Sequence, residues 1–479
     1  MSKVTEHYKY GMNRPIYDKS NNTVKSDQDK DFTEHGDEKQ VKLPAKFQKI
    51  LDRNTQKNTS NNKKKRAMSR EVSNQTDSLE VIDRSYSNAI IEFFEDSSIQ
   101  DIATYLHNFL FKRDACDQRL GEGAIGYVVQ RSVGDTYKLS YPNGVTVDLP
   151  VVVKEVHVEN QMYIDIFDGE LFVSNSRGIS VEALLLYFIK PLIQLKLSPH
   201  LPLILDHGKC ILREVQPVDK IVLERHGLPD EVSIKIPGLY ESPMWRALDG
   251  FNPDNPTFNS RLTTFDDLTV FMHLTKDSNN NVTLPNNEVC NIVELIDYLS
   301  ISYLVTYDLL YRHNIHLLDM HPQNILIHWL NKQSYLHDQY VGDTKYIFYK
   351  VGDKIYKIKT FGIMLKIGDV GASIARPRRD VYLVGQAYDI QLTQNIVREI
   401  TQTNKCHDFL NFLGGCVPLD VLRQTVAYKI LNSDPYDKIL WISQGRELLK
   451  RMLSVPDLLK MFDKYSVKEI DEISNYLVF

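Results

Sequence analysis

The pattern of polar and apolar positions divides the chain into a polar N-terminal part and a longer part with regular apolar spacing. Between residues 52 and 78 the only apolar residues are Ala67, Met68 and Val72. A segment of this kind cannot bury enough apolar surface to offset its conformational entropy. Residues 1–80 are therefore predicted to form a disordered polar tail, and the folded part is predicted to begin near residue 81.

Apolar residues recur at helical spacing directly after this tail, between residues 79 and 112. The spacing predicts two helices, with a break and a cap at Asp96, Ser97 and Ser98. We expect this helical extension to pack on the back of the elements that follow it.

A glycine-rich stretch follows, Gly121-Glu122-Gly123-Ala124-Ile125-Gly126, with strand-forming residues directly after it. Glycines at this spacing let backbone N–H groups approach phosphates closely. A dinucleotide-binding turn should open a helix, but here a second β-rich run follows, which favours a hairpin over phosphates. The predicted nucleotide contacts are Leu120, Gly121, Glu122, Gly123, Ala124, Ile125, Gly126 and Val128.

Lys154 interrupts the β-branched run Val151-Val152-Val153, and a buried ammonium group needs a partner. We predict that Lys154 holds nucleotide phosphates and is itself held by a carboxylate; the alternative is an edge-strand lysine that faces solvent. Glu182, on the first turn of a predicted helix that starts at Ser180, is the preferred partner. Glu170 is the alternative partner, and a further reading is that Glu182 only complements the helix dipole.

The segment Leu317 to Ile327 carries an aspartate, Asp319, followed five positions later by Asn324 and then by an apolar strand-like run. Asp319 is suited to accept a proton from an attacking hydroxyl, and the Asn324 amide oxygen to bind a divalent metal ion on nucleotide phosphates. Alone, this pattern also fits a capped surface turn.

A second candidate metal ligand is Asp369, which follows the apolar residues Met364 to Ile367 and precedes Gly371 by two positions. A carboxylate at the end of a short strand can bind Mg²⁺ that bridges nucleotide phosphates. The alternative is an ordinary turn residue.

Four further patterns complete the prediction of elements. Residues 268–274 are strand-like, and the loop after them is predicted to be the hinge between two lobes. Residues 289–311 have helical period throughout, and residues 345–358 form a hairpin around Gly352-Asp353. From Tyr388 to the end the pattern is mostly helical.

Composition narrows the class of protein. The apolar content of 42% in 479 residues allows a sizeable core, and the net charge of −5 does not suggest a nucleic-acid coat. Five scattered cysteines without a C-x-x-C pair favour a reducing compartment. We expect a soluble, intracellular protein with no membrane span and no nucleic-acid partner, and the basic run 63–66 leaves the nucleus open as a location.

The four stretches around Gly121, Lys154, Asp319 and Asp369 occur in the order found in eukaryotic protein kinases, and the chain resembles that family over roughly residues 115–479. The resemblance implies an α+β bilobal fold, with a helical extension and β-rich N-lobe over 81–275 and a mainly helical C-lobe over 276–479. It also implies a Ser/Thr protein kinase that uses ATP and Mg²⁺ or Mn²⁺ on protein substrates. Lys154 and Glu182 would then form the ion pair, Asp319 would be the catalytic base, Asn324 and Asp369 would bind the metal, and Asp389 would brace the catalytic loop.

Departures from the family pattern keep other functions open. Leu317-Leu318 replaces the His-Arg before the catalytic aspartate, Val370 replaces the Phe of D-F-G, and the A-P-E motif is missing. These departures allow a pseudokinase scaffold. With His321, the segment reads Asp-x-His-x-x-Asn, which is similar to the loops of haspin-type kinases and of small-molecule phosphotransferases of the aminoglycoside or choline type. The hairpin before Asp369 resembles the corresponding part of kinases encoded by large DNA viruses. A viral origin would imply a location in the host cytoplasm or the virion.

Overall fold

The computed structural model describes most of the chain between residues 84 and 385 and shorter parts on either side. The described residues are 45–54, 84–107, 112–114, 119–122, 127–129, 136–140, 146–157, 163–174, 180–195, 197–211, 217–236, 257–317, 322–330, 346–371, 373–385, 454–468 and 476–478. Asp389 and most of the predicted C-terminal helical region lie outside them.

Seven α-helices lie in the described residues: α1 (45–54), α2 (Arg84–Asp96), α3 (Ile99–His107), α4 (Ser180–Gln194), α5 (Phe265–Thr275), α6 (Ile292–Arg312) and α7 (Val455–Lys460). The first eleven strands are β1 (Lys112–Asp114), β2 (Arg119–Glu122), β3 (Tyr127–Val129), β4 (Thr136–Ser140), β5 (Thr146–His157), β6 (Tyr163–Phe167), β7 (Glu170–Ser174), β8 (Ile204–Ile211), β9 (Pro217–Glu224), β10 (Val232–Lys235) and β11 (Thr257–Ser260). The remaining strands are β12 (Asn281–Thr283), β13 (Val289–Asn291), β14 (Ile315–His316), β15 (Ile325–Trp329), β16 (Tyr346–Val351), β17 (Lys354–Lys359), β18 (Ile363–Ile367), β19 (Ile374–Arg378), β20 (Val381–Val384), β21 (Ser466–Val467) and β22 (Tyr476–Val478).

The largest sheet has seven strands in the order β1-β8-β9-β5-β3-β2, with β4 paired to β5. β2 and β3, on either side of residues 123–126, are antiparallel neighbours, which is the strand pairing that the predicted hairpin requires. β5 carries Lys154 and lies between β3 and β9, because it pairs with both of them. The strand that holds Lys154 is therefore an inner strand and not an edge strand.

The helices before this sheet form a cluster around aromatic side chains. α2 and α3 are separated at Ser97 and Ser98, as the sequence predicts, and the Ser98 hydroxyl accepts a hydrogen bond from the Asp101 N–H. Phe47 of α1 stacks on Tyr105 of α3 with ring centroids 4.9 Å apart. Because Phe47 is fully buried, the prediction of disorder is wrong for residues 45–54, whose sparse apolar positions suffice once α2 and α3 provide a surface.

A five-stranded sheet has the order β14-β19-β20-β7-β6 and joins parts of the chain that are far apart in sequence. β20 pairs in parallel with β7, so that Val381 lies opposite Leu171. β14 pairs with β19 and leads to the Asp319 segment. This sheet therefore connects the chain after Asp369 with the strand that precedes α4.

The predicted hairpin of residues 345–358 is present as β16 and β17, and it is integrated into the core. Tyr349 of β16 is fully buried and its hydroxyl bonds to His200 Nε2 at 2.6 Å and to Ser302 Oγ of α6 at 2.7 Å. β16 and β17 form the centre of a four-stranded sheet with β21 and β22.

Residues 268–274 were predicted to be a strand, and this prediction is wrong because they lie within helix α5. The helix begins at an N-cap, where the Thr264 hydroxyl accepts from the Asp267 N–H and the Asp267 carboxylate accepts from the Thr264 N–H. The backbone amides of these residues are therefore used inside the helix. α5 packs against β15 and the short 3-10 turn Pro322–Asn324.

The chain is a mixed α/β protein with several small sheets, in agreement with the predicted mixture of helices and sheets. Among the helices that the structure describes, none is both long enough and apolar enough to cross a membrane.

Candidate functional site

Three charged side chains meet between β5, α4 and the segment after β18. Lys154 Nζ lies 3.0 and 2.8 Å from the two carboxylate oxygens of Glu182 and 3.2 Å from Asp369 Oδ2. Lys154 is held on an inner strand, and Glu182 lies on the first turn of α4 with 3% of its side chain exposed. The arrangement holds the ammonium group in a fixed position between two carboxylates.

Glu170, the alternative partner of Lys154, lies elsewhere. Its carboxylate accepts a hydrogen bond from the Tyr382 hydroxyl at 3.5 Å and lies 4.0 Å from Arg376. The ion pair with Lys154 is therefore made by Glu182.

The electrostatics of this cluster follow from two carboxylates sharing one ammonium group. Burial alone would lower the pKa of Lys154, but Asp369 and Glu182 outweigh it and raise that pKa. Burial raises the pKa of Glu182 to about 7, with Lys154 opposing the rise and Asp369 adding to it. Lys154 is thus held as a cation between the two carboxyl groups.

Asn324 and Asp369 are brought to the same end of a two-stranded ladder by strand pairing. β15 begins directly after Asn324, β18 ends two residues before Asp369, and Ile325 lies opposite Ile367. The Gly368 N–H donates to the Asn324 carbonyl oxygen at 2.8 Å and so extends the ladder by one step. Two predicted metal ligands that are 45 positions apart in sequence therefore lie at the same end of two paired strands.

The turn after Asp369 is close-packed around its carboxylate. The Gly371 N–H donates to Asp369 Oδ1 at 2.7 Å. A Cβ atom at Gly371 would lie 2.9 Å from Asp369 Oδ1 and 3.1 Å from Glu182 Oε2, which is too close for either contact without a shift. Glycine at position 371 therefore allows the two carboxylates to approach Lys154 together.

The glycine-rich hairpin lies beside Lys154 in the sheet. Val128 of β3 is the register partner of Lys154, and Tyr127 is that of Glu155. Leu120, Gly121 and Glu122 belong to β2, whereas Gly123, Ala124, Ile125 and Gly126 lie outside the described residues. β3, which directly follows the glycine-rich stretch in sequence, is therefore the strand next to Lys154.

Asp319, the predicted base, lies outside the described residues, as do Leu318 and His321. The residues on either side, Leu317 and Pro322, are both buried. The segment that contains Asp319 is therefore anchored in the core at both of its ends.

Sequence reasoning did not single out Lys366 of β18, although the signal resembles that of Lys154. Lys366 is also a lysine inside an apolar strand, is 1% exposed, and donates to the Leu201 carbonyl oxygen at 3.0 Å. Burial lowers the pKa of Lys366 to about 8, and Glu224 opposes that shift. Two buried histidines, His226 and His328, lie near it with their Nδ1 atoms 3.0 Å apart.

The residues present fit a nucleotide-bound Mg²⁺ better than a metal held by protein alone. In the described part of the chain, no three His, Cys, Asp or Glu side chains are grouped so that they could hold a metal ion. Mg²⁺ on nucleotide phosphates needs only one or two protein carboxylates. Asp369, with 36% of its side chain exposed, could supply such a carboxylate, and Asn324, which directly precedes β15, could add an amide oxygen.

Comparison with known proteins gives no family assignment: no protein-family model matches the chain, and no curated protein sequence matches it significantly.

Proposed function

We propose that this protein is an ATP-dependent phosphotransferase of the protein-kinase type, acting on Ser or Thr hydroxyls of protein substrates. The observation that carries the proposal is the position of Lys154 Nζ between Glu182 and Asp369. In protein kinases a lysine on the third strand pairs with a glutamate on a helix, and an aspartate near them binds the metal.

Strand pairing supports the same proposal. The glycine-rich hairpin is the register neighbour of the Lys154 strand, and Asn324 adjoins Asp369 across the β15–β18 ladder. Under this proposal the seven-stranded sheet and α4 form one lobe, and α5, α6 and the β15–β18 ladder form the other. Because α5 packs against β15, the boundary between the lobes would lie before α5, in the chain that follows β9.

The proposed chemistry divides the work among the chain's own residues. ATP with Mg²⁺ or Mn²⁺ supplies the transferable phosphoryl group and the charge that bridges its phosphates. Lys154 would orient the phosphates, Glu182 would hold Lys154, and Asn324 and Asp369 would bind the metal ion. Asp319 would accept the proton of the acceptor hydroxyl. Positioning and charge neutralisation would supply most of the rate.

Two of the departures from the family pattern fall on core residues. Leu317 and Val370 are both fully buried, so each fills space in the core. They replace the family's His before the catalytic aspartate and the Phe of D-F-G, whereas Lys154, Asn324 and Asp369 keep the charges and amide that transfer requires. This retention favours an active enzyme over a pseudokinase.

One observation favours a second candidate, a small-molecule phosphotransferase. The chain after Asp369 enters β19 and β20 almost at once, and both strands are paired within the five-stranded sheet. A segment fixed in a sheet leaves little chain there to bind a peptide, which suits a small acceptor such as an amino alcohol or sugar.

The test is transfer of labelled γ-phosphate from ATP with Mg²⁺ or Mn²⁺ to a panel of acidic and basic proteins and, in parallel, to aminoglycoside and choline acceptors. Wild type is compared with Asp319→Asn. We expect labelled protein, a loss of at least about 100-fold in kcat for Asp319→Asn, and little change in its ATP affinity, because the base acts mainly in the transition state.

Each other outcome has a defined meaning. If only a small acceptor is labelled, the enzyme is a small-molecule phosphotransferase and not a protein kinase. ATP binding without transfer to any acceptor would establish a pseudokinase. Equal transfer by wild type and Asp319→Asn would remove Asp319 from the role of base.

A further inference from the structure

Helices α1, α2 and α3 lie outside the candidate site but reach it through two sets of contacts. We propose that these helices, called here the N-terminal brace, hold α4 where Glu182 reaches Lys154, and that Arg378 is the positioning residue that fastens the brace. This inference rests on the proposed function, because the position of Glu182 matters for phosphoryl transfer only if Lys154 orients phosphates.

Arg378 joins the brace to the chain that follows Asp369. Its Nη1 donates to the carbonyl oxygen of Phe94 at 2.8 Å and to that of Ser97, and its Nε and Nη2 donate to the two oxygens of Asp380 at 2.5 and 3.0 Å. The guanidinium group therefore uses both of its edges. A lysine has no fork of this geometry and could not make both sets of bonds.

The carbonyl groups that Arg378 binds belong to the C-terminal end of α2. A helix leaves its last carbonyls without intrahelical partners and carries partial negative charge at that end. α2 has no basic residue of its own in its last turn. The cations come from elsewhere: Arg378, and Lys46 of α1, whose Nζ donates to the Asp96 carbonyl oxygen at 2.8 Å.

The other side of α2 packs against α4. Phe94 meets Phe188 of α4 edge to face, with ring centroids 5.3 Å apart. Phe94 is 1% exposed, and Phe188 lies less than two turns after Glu182 on the same helix. One residue of α2 thus receives Arg378 through its carbonyl oxygen and supports α4 through its ring.

A second connection runs through the five-stranded sheet. The Leu171 N–H donates to the Asp380 carbonyl oxygen at 2.7 Å, and β20 continues in parallel along β7, the strand before α4. Asp380 therefore binds Arg378 with its side chain and β7 with its backbone. Its carboxylate is permanent, so the arrangement needs no phosphate on this segment to hold α4.

The first measurement is hydrogen exchange in the full-length protein without nucleotide, comparing Arg378→Ala with Arg379→Ala. Arg379 is the exposed neighbouring arginine, and its substitution by alanine removes the same charge. We expect faster amide exchange in α2 and α4 for Arg378→Ala, with α6 unchanged, and no such change for Arg379→Ala. If Arg378→Ala does not fold, Asp380→Asn, which keeps the shape of the side chain, should give the same pattern with a smaller change.

The second measurement is a double-mutant cycle on the kcat/KM of transfer. If Arg378 acts through Glu182, Arg378→Ala should lower kcat/KM by about 10-fold or more in wild type. In a Glu182→Gln background it should lower it by less than about twofold. A residue that only stabilises the fold would give the same factor in both backgrounds.

The outcomes separate this inference from the proposed function. Unchanged exchange in α4, or equal factors in the two backgrounds, would overturn the brace. Faster exchange in α4 together with a wild type that transfers no phosphate would leave the brace standing and overturn the proposed function.

Discussion

The charge balance at Lys154 is the central feature at the scale of single residues. One ammonium group is shared by Glu182, which is buried, and Asp369, which is partly exposed. Removing the ammonium would leave a buried carboxylate without its partner, and such losses are strongly destabilising. Under the proposed function, the partly exposed carboxylate of Asp369 is the one that would bind the metal ion.

Gly371 gives a sharp prediction at this scale. Gly371→Ala should lower kcat/KM for transfer by about 10- to 100-fold, because the new Cβ atom displaces the carboxylate of Asp369 or Glu182. The measurement is transfer kinetics together with the free energy of unfolding.

Gly352→Ala is the matched control. Gly352 has a φ of 61° with no atom within 4 Å of a Cβ, so alanine there should cost about 1 kcal/mol of stability and leave transfer unchanged. An unaffected Gly371→Ala enzyme would contradict the close packing of the two carboxylates.

The sequence singled out each residue of this cluster by its local pattern, but it left Glu170 open as the partner of Lys154 and did not predict the contact between Lys154 and Asp369. Lys154 breaks a β-branched run, Glu182 follows a helix cap, and Asp369 ends a strand. The role of Arg378 could not be predicted, because its bonds go to carbonyl groups more than 280 positions away, and every residue has a carbonyl group.

At the scale of elements, residues 268–274 show why a continuous apolar run is ambiguous. Leu268 to Met272 are all buried, so no polar face reveals the helical period. The deciding signal was local and lay just before the run, in the Thr264 and Asp267 capping pair. The hairpin β16–β17 was predictable because its two strands are separated by a turn containing glycine.

The hairpin β16–β17 also gives a prediction about its attachment to the core. Tyr349→Phe should lower the free energy of unfolding by about 1–3 kcal/mol, because it removes the hydroxyl that bonds to His200 and Ser302. Chemical denaturation measures this change.

Tyr346→Phe, in the same strand on its opposite face, is the control and should change the stability by less than about 0.5 kcal/mol. Equal effects of the two substitutions would show that the buried hydroxyl network adds nothing specific.

At the scale of the whole molecule, buried histidines tie stability to pH. His200 Nδ1 faces the Leu365 carbonyl oxygen at 2.8 Å, so Nδ1 carries the proton and Nε2 accepts from Tyr349 in the neutral ring. Burial lowers the pKa of His200 and of His226 to about 3. A second proton on either ring is therefore disfavoured in the folded protein.

These lowered histidine pKa values should make the folded protein less stable at acidic pH. Between about pH 6.5 and pH 3 the unfolded chain binds a proton at each of these histidines and the folded chain does not. The free energy of unfolding should therefore fall as the pH falls below about 6.5, by about 1.4 kcal/mol per pH unit for each histidine. Denaturant unfolding at pH 7, 6 and 5 measures the slope.

A His200→Gln variant provides the comparison for this slope. The amide can still bond to the two neighbours but does not titrate, so the slope should decrease by about 1.4 kcal/mol per pH unit. An unchanged slope would mean that His200 does not contribute.

The parallel pairing of β7 with β20 also has a consequence for how the chain is made. Leu171 cannot meet Val381 until 210 further residues have been synthesised, which at ordinary translation speeds takes about 10–40 s. Throughout that interval the edge of β7 is exposed on the ribosome, and contacts of such long range also form slowly. A nascent chain stopped before residue 374 should therefore bind chaperones and aggregate, whereas one extended past β20 can cover that edge with its own strand.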